Sequence, residues 1–277
     1  MQRVTVAVDL AKTVFQLVSA GHNGRIFERK RLTRSQFLRF WESCPPCTVL
    51  MEACGSAHYW GRHLRARRFE VVLLPAHSVT PYVQRSKTDE RDAEGLLEAV
   101  KSPRVHPVAV KSSDQQSILA LHRAREQWRT TRTARINAMR GFLREFGVIS
   151  ARGSTSFLRA LPLLLEEHRE ELPARLRLLL TELHEEVRAI ESRMLAVEKE
   201  LEGIAAQNST ISTLLQVPGI GVLTATATYA SIGNIHQFRS GRHLASWLGI
   251  TPRSTPPAAN AAWAASASRA TPTCAPC

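Results

Sequence analysis

Leu176, Leu180, Leu183, Val187, Ile190, Met194, Val197, Leu201 and Ile204 follow one another at alternating steps of four and three residues. An apolar period of about 3.5 residues, kept over roughly four heptads, admits little besides one long helix with a continuous seam. Such a seam must be covered. The spacing is that of a coiled coil between copies of the chain, a homodimer or higher homo-oligomer; an antiparallel hairpin within one chain is the alternative. Directly upstream, residues 115–147 lack proline and carry Ile118, Leu121, Trp128, Ile136, Met139, Leu143 and Phe146 at helical spacing. The other faces of that helix hold Arg123, Arg125, Arg129, Arg132, Arg135, Arg140 and Arg144 against only Glu126 and Glu145. This is a basic helix.

Before Pro107 the periodicity is different. From Arg3 to Val18 the residues read as a strand, a tight turn and a second strand around Asp9, and His22-Asn23-Gly24-Arg25 is a turn signal ahead of a third strand in "RIFERKRL". Thr33 is placed to cap a helix carrying Phe37, Leu38 and Trp41. "TVLMEA" is a short buried strand ending in Glu52, and the helix "SAHYWGRHLRARR" leads on to the strand "EVVLLP". Antiparallel strands followed by alternating helices and buried strands define an α/β domain with a mixed sheet over residues 1–110, its carboxyl strand edges carrying the site. A basic helix and coiled-coil region follows over 111–206, with a small helical domain over 207–253. In the latter, Pro218-Gly219-Ile220-Gly221 lies between two helical patterns. This is the layout of a helix-hairpin-helix turn, in which Gly219 and Gly221 let backbone N–H groups approach a phosphate; a plain packing turn is the alternative.

Lys plus Arg number 37 against 24 Asp plus Glu, a formal charge of +13. That excess favours a polyanionic partner, most simply nucleic acid, over an acidic small substrate. No run reaches the roughly 18 apolar residues of a membrane span, and "MQRVTVAVDLAK" lacks the layout of a secretory signal, so a cytoplasmic protein with no membrane partner is expected. Cys44-Pro-Pro-Cys47 and Cys274-Ala-Pro-Cys277 have ligand-like spacing, which a four-thiolate zinc site would need. Zinc-ribbon turn residues are missing around both pairs, and free thiols are expected.

Asp9 interrupts an apolar strand, Glu52 ends a neighbouring one, and Asp89 and Asp92 stand one helical turn apart where the pattern "RSKTDERDAEGLLEA" begins. Each has a plain structural role open to it. Asp89 can cap a helix, Asp92 can sit favourably in a first turn, and Glu52 can pair with an arginine. Asp9 is hardest to explain that way, because burying an unpaired carboxylate costs several kcal/mol. Together the acids would repel one another unless cations intervene, and hard oxygen ligands suit Mg2+ or Mn2+. Ions about 3.5–4 Å apart clamp the attacking and leaving oxygens of a phosphoryl transfer. Phosphodiester chemistry is the implied class.

"VAVDLAKTVFQ", "MEACGSAHYW", "SKTDERDAEGLLEA" and "VPGIGVLTATATYASIG…QFRSGRHLASWLGITPR" together resemble the DEDD transposases of the bridge-RNA-guided insertion sequences, the one-ten insertion-sequence family. The resemblance covers nearly everything up to Arg253. It implies a RuvC-like, ribonuclease-H-type domain in which Asp9, Glu52, Asp89 and Asp92 are catalytic and bind Mg2+ or Mn2+. It also implies a coiled-coil dimerisation region and a second domain bearing a serine nucleophile, with donor and target DNA recombined under a structured guide RNA through a covalent serine–DNA intermediate. Arg123, Arg125, Arg129, Arg132, Arg135 and Arg140 would then hold an RNA or DNA backbone, with Gly219 and Gly221 at a second contact. Two other readings stand beside it: a structure-specific, Holliday-junction-type endonuclease using the same acids and water, and a non-catalytic nucleic-acid-binding repressor of intact copies.

The resemblance stops after Arg253. Relatives continue with a polar, glycine-rich segment containing the nucleophilic serine, roughly "HSSGGK", whereas this chain reads "STPPAANAAWAASASRATPTCAPC". With GC-rich codons for these residues, the neighbouring frame reads "HSSGGKRRLGG" and then "ISKQGDTYLRTL", which points to the loss of one base after Arg253. In the family's register the serine pair falls at Pro256 and Pro257, neither of which can attack a phosphate; Ser254 is displaced. Residues 254–277 are therefore expected to be a frameshifted, disordered tail, and the chain a defective copy.

Overall fold

The computed structural model describes residues 4–83, 89–150 and 152–250, with the side chains of Asp89 and Glu90 outside the described residues. Contacts divide the chain into two compact units at Gly233/Asn234. In the first, β1 (Thr5–Leu10), β2 (Val14–Ala20) and β3 (Ile26–Thr33) are antiparallel neighbours. Strands β4 (Thr48–Glu52) and β5 (Glu70–Leu74) add in parallel beyond β1, giving the order β3-β2-β1-β4-β5. This is the expected mixed sheet. At its β3 edge Glu28, Arg29, Lys30 and Arg31 run consecutively, charges that discourage pairing with a further strand.

Helices α1 (Arg34–Ser43) and α2 (Ala57–Arg65) cover one face of the sheet. Thr33 starts α1 as read from the sequence, through a reciprocal capping box: its hydroxyl accepts from the Gln36 N–H, and the Gln36 side chain accepts from the Thr33 N–H at 2.8 Å. Beneath them Phe15 stacks on Phe37 with ring centres 4.3 Å apart, and Trp60 meets both edge-on. After a single turn, α3 (Ala76–Val79), the helix α4 (Asp89–Ala99) covers the opposite face with Ala93, Leu96 and Leu97.

Five helices complete this unit: α5 (Ser113–Glu145), α6 (Ser154–Glu167), α7 (Ala174–Gln207), α8 (Ser209–Leu215) and α9 (Val222–Ile232). A second capping box, Ser112 with Gln115, starts α5, whose 33 residues span about 50 Å. Ser154 already belongs to α6, whose Phe157, Leu158, Leu161 and Leu165 bury one helical stripe. The ion pairs Arg125–Glu198, Arg132–Glu191 and Arg135–Glu186 descend along α7 as they ascend α5, so the two long helices are antiparallel.

The seam is covered within the chain, as in the antiparallel-hairpin alternative. Leu180, Val187, Ile190, Val197 and Leu201 are buried inside the single chain, Leu180 and Val187 among Ile136, Met139 and Leu143 of α5. A partner helix of matching length on the same chain covers the seam without the entropy cost of association. Leu180→Ala is accordingly expected to cost about 2–5 kcal/mol of stability, with a thermal midpoint that stays the same across protein concentrations. A midpoint that climbs with concentration would return the seam to an intermolecular role.

The chain's compact units also divide later than residue 207. Ala230 of α9 packs with Ile118, Val197 and Leu201, and Ala225 packs with Ala205 and Ile211, so the short helices are bound into the long-helix core. The second unit begins at Asn234. Its described part holds a 3-10 turn, Ile235–Gln237, and one α-helix, α10 (Gly241–Trp247), capped by Ser240, with Phe238 packed on Trp247 and His243. Residues 254–277, the segment read as a frameshifted tail, lie outside the described residues.

Candidate catalytic carboxylates and the arginine helix

Register and alternation place two of the predicted acids side by side. Val8 of β1 pairs with Met51 of β4 in parallel, so Asp9 and Glu52 are the next residues along adjacent strands at the same sheet end. Side chains alternate between faces along a strand. Val8 and Met51 belong to the core under α1 and α2, whereas Ala7 and Leu50 pack with Ala93, Leu96 and Leu97 of α4. Asp9 and Glu52 share the parity of Ala7 and Leu50 and therefore face the α4 side.

The direction of α4 brings its start to the same end. Lys101, just past its C-terminus, lies against Gly24 in the β2–β3 turn, at the amino end of β1. Its N-terminus is thus at the carboxyl end of β1 and β4. Asp92 is partly buried and stands one turn before Leu96, on the stripe that faces the sheet. Asp89 opens the helix, and its carboxylate is outside the described residues. Among the described residues no three acidic, histidine or cysteine side chains gather closely enough to hold a metal ion. The topology brings the ends of β1 and β4 and the start of α4 to one end of the sheet.

The predicted nucleic-acid arginines have a different environment from the one their own helix suggests. Arg125 donates to Glu198 at 2.7 Å, Arg132 to Glu191 at 2.7 Å and Arg135 to Glu186 at 2.7 Å. Arg129 pairs with Glu126 one turn back, which holds the Glu126 carboxyl below its ordinary range. Arg140 donates to the Gly153 carbonyl at 2.7 Å and lies over the Phe157 ring. Counting acids on one helix understated the compensation, because α7 supplies most of it. Arg125, Arg129, Arg132 and Arg135 are each matched by a glutamate, whereas Arg123 carries no ion pair to a carboxylate among the described residues. Gly219 and Gly221 lie in the turn between α8 and α9, Gly219 in the left-handed region at φ +86°, with open space where either Cβ would sit. Cys44 and Cys47 are free thiols, and a hydrogen bond from the Cys47 side chain lowers the pKa of Cys44. Cys274 and Cys277 lie outside the described residues.

Sequence comparison identifies what carries this arrangement. The DEDD transposase profile of IS110 elements matches residues 6–148, and the profile described as "Transposase IS116/IS110/IS902 family" matches residues 211–256. A probable family 20 transposase of Pseudomonas aeruginosa is 40% identical over 249 residues, 90% of this chain and 74% of the relative. The transposase for insertion sequence element IS1111A of Coxiella burnetii is 35% identical over 248 residues, 90% of this chain and 68% of the relative. The transposase for IS1328 of Yersinia enterocolitica is 36% identical over 254 residues, 91% of this chain and 75% of the relative. The first unit thus carries the profile of an enzyme class that cuts and rejoins DNA. The chain belongs to the IS110 family of insertion-sequence transposases. Among the described residues no helix is long and apolar enough to cross a membrane.

Proposed function

We propose that this chain descends from a bridge-RNA-guided, metal-dependent DNA recombinase with a RuvC-like catalytic domain, and that this copy does not complete recombination. The observation that carries the metal site is the placement of Asp9 and Glu52 on adjacent parallel strand ends, facing the side on which α4 begins. The order β3-β2-β1-β4-β5, with β2 alone antiparallel to the other four strands, supports the ribonuclease-H type. Carboxylate oxygens from separate elements are hard donors, a set that fits Mg2+ or Mn2+. Asp9, Glu52, Asp89 and Asp92 are the ligands in this reading. Bound there, such ions would clamp the attacking and leaving oxygens of a phosphodiester.

The chain's own residues supply positioning. β1 and β4 hold two carboxylates at a fixed strand spacing, and α4, which carries Asp89 and Asp92 in its sequence, begins at the same end of the sheet. The formal charge of +13 supports binding of DNA and of a structured RNA. Gly219 and Gly221 give a helix-hairpin-helix-like turn an open backbone approach to a phosphate. A chromosomal DNA substrate puts the protein in the cytoplasm.

Titrating Mn2+ into the chain tests the site. Saturable binding is expected, weakened at least about 100-fold by Glu52→Gln, since even groups that only support a ligand are worth 10–100-fold. An unchanged affinity in that variant sinks the assignment.

A further inference from the structure

A cleft of about 400 Å3 opens where β4 hands over to α2, in the segment directly following Glu52. His58, Lys111, Gln116 and Arg123 line it together with the apolar Val108 and Leu119, and among the described residues no Asp or Glu lines it. The Lys111 backbone N–H donates to His58 Nδ1 at 3.2 Å. Arg62 of α2 donates to the Lys111 carbonyl at 2.8 Å and also to the Gln116 side chain, tying α2, the segment before α5 and α5 itself into one wall.

The electrostatics of this wall are one-sided. Burial, with Lys111, Arg62 and Arg123 nearby, pushes the His58 pKa down to about 4. The ring is therefore neutral at pH 7, and because Nδ1 accepts, its proton is on Nε2, a donor. Burial and Arg123 likewise lower the pKa of Lys111. Among the described residues no carboxylate pairs with Arg62, Lys111 or Arg123, whereas Arg125, Arg129, Arg132 and Arg135 further along α5 are each matched by a glutamate. Cations held together without an acid are costly, and a bound anion offsets that cost.

We propose that this cleft is a phosphate subsite for a nucleic-acid backbone, with Lys111, Arg123 and the His58 ring N–H as donors and Val108 and Leu119 as the wall for the adjoining sugar. The proposal rests on the transposase reading, and it gives Arg123 a role that its helix neighbours do not share. DNA and guide RNA both present the phosphodiester that the donors recognise.

The test is fluorescence anisotropy with the full chain, using a labelled DNA duplex of arbitrary sequence and an RNA hairpin over a salt series. Lys111→Gln and Arg123→Gln are each expected to lower the slope of log affinity against log salt by about 0.9 on duplex DNA, or about 0.7 if the contact is to single strands. Arg123→Lys should keep the slope. The probe on which the slope falls identifies the backbone that occupies the cleft. Should Lys111→Gln perturb folding, Arg123→Gln carries the test, because that side chain is exposed. Wild-type slopes in both glutamine variants on both probes would overturn the subsite and leave the transposase reading standing. If the unaltered chain bound neither probe, both would fall.

Discussion

Exchanging residues 254–277 for the segment read in the neighbouring frame is expected to turn a chain that yields no joined donor–target DNA into one that does. In the proposed reading Pro256 and Pro257 stand where the family's register wants a serine pair, and a proline has no hydroxyl to attack phosphorus. Loss of a covalent nucleophile costs of order 10^4–10^6 in rate in other enzymes, enough to take product below detection. Joined product can be scored by amplification across the new junction, and the protein–DNA adduct by its shift in a denaturing gel. A junction formed by the unaltered chain would refute the defect.

In that repaired background, Asp9→Asn is expected to lower joining by at least ~10^3-fold, about 4 kcal/mol of barrier, while leaving the thermal midpoint nearly unchanged. Asparagine preserves the shape and one oxygen of the side chain but removes the charge that a divalent ion requires. Position explains the size of the effect: Asp9 lies on the central strand, beside Glu52, facing the α4 side. Glu126→Gln is the control, since that carboxylate pairs only with Arg129 on an exposed helix face. Joining by Asp9→Asn within tenfold of its parent would remove Asp9 from the chemistry.

Much of the α/β part was legible from local pattern. Asp9 and Glu52 were singled out because a carboxylate in or ending an apolar strand needs a reason, and Thr33 because a cap followed by Gln36 has a defined geometry. Asp89 and Asp92 were legible as a pair one turn apart. The helix α6 was not, since its stripe of Phe157, Leu158, Leu161 and Leu165 begins right after a glycine and serine break. The partners of Arg125, Arg132 and Arg135 were equally hidden: Glu198, Glu191 and Glu186 lie more than fifty residues away along the chain. Nor did His58, Lys111 and Arg62 stand out, because nothing in their spacing shows that α2 and the start of α5 share a wall.

Periodicity and turn chemistry settle which segments become strands and helices, because those signals act over a few residues and repeat along the chain. They set the long seam of α7, the strand that carries Asp9 and the basic character of α5. Which surface covers that seam, which arginines keep their charge for a ligand and which acids meet at one sheet edge are matters of contact between distant segments. Folding alone decides them, since Coulomb and packing energies depend on separation in space and are blind to separation in sequence.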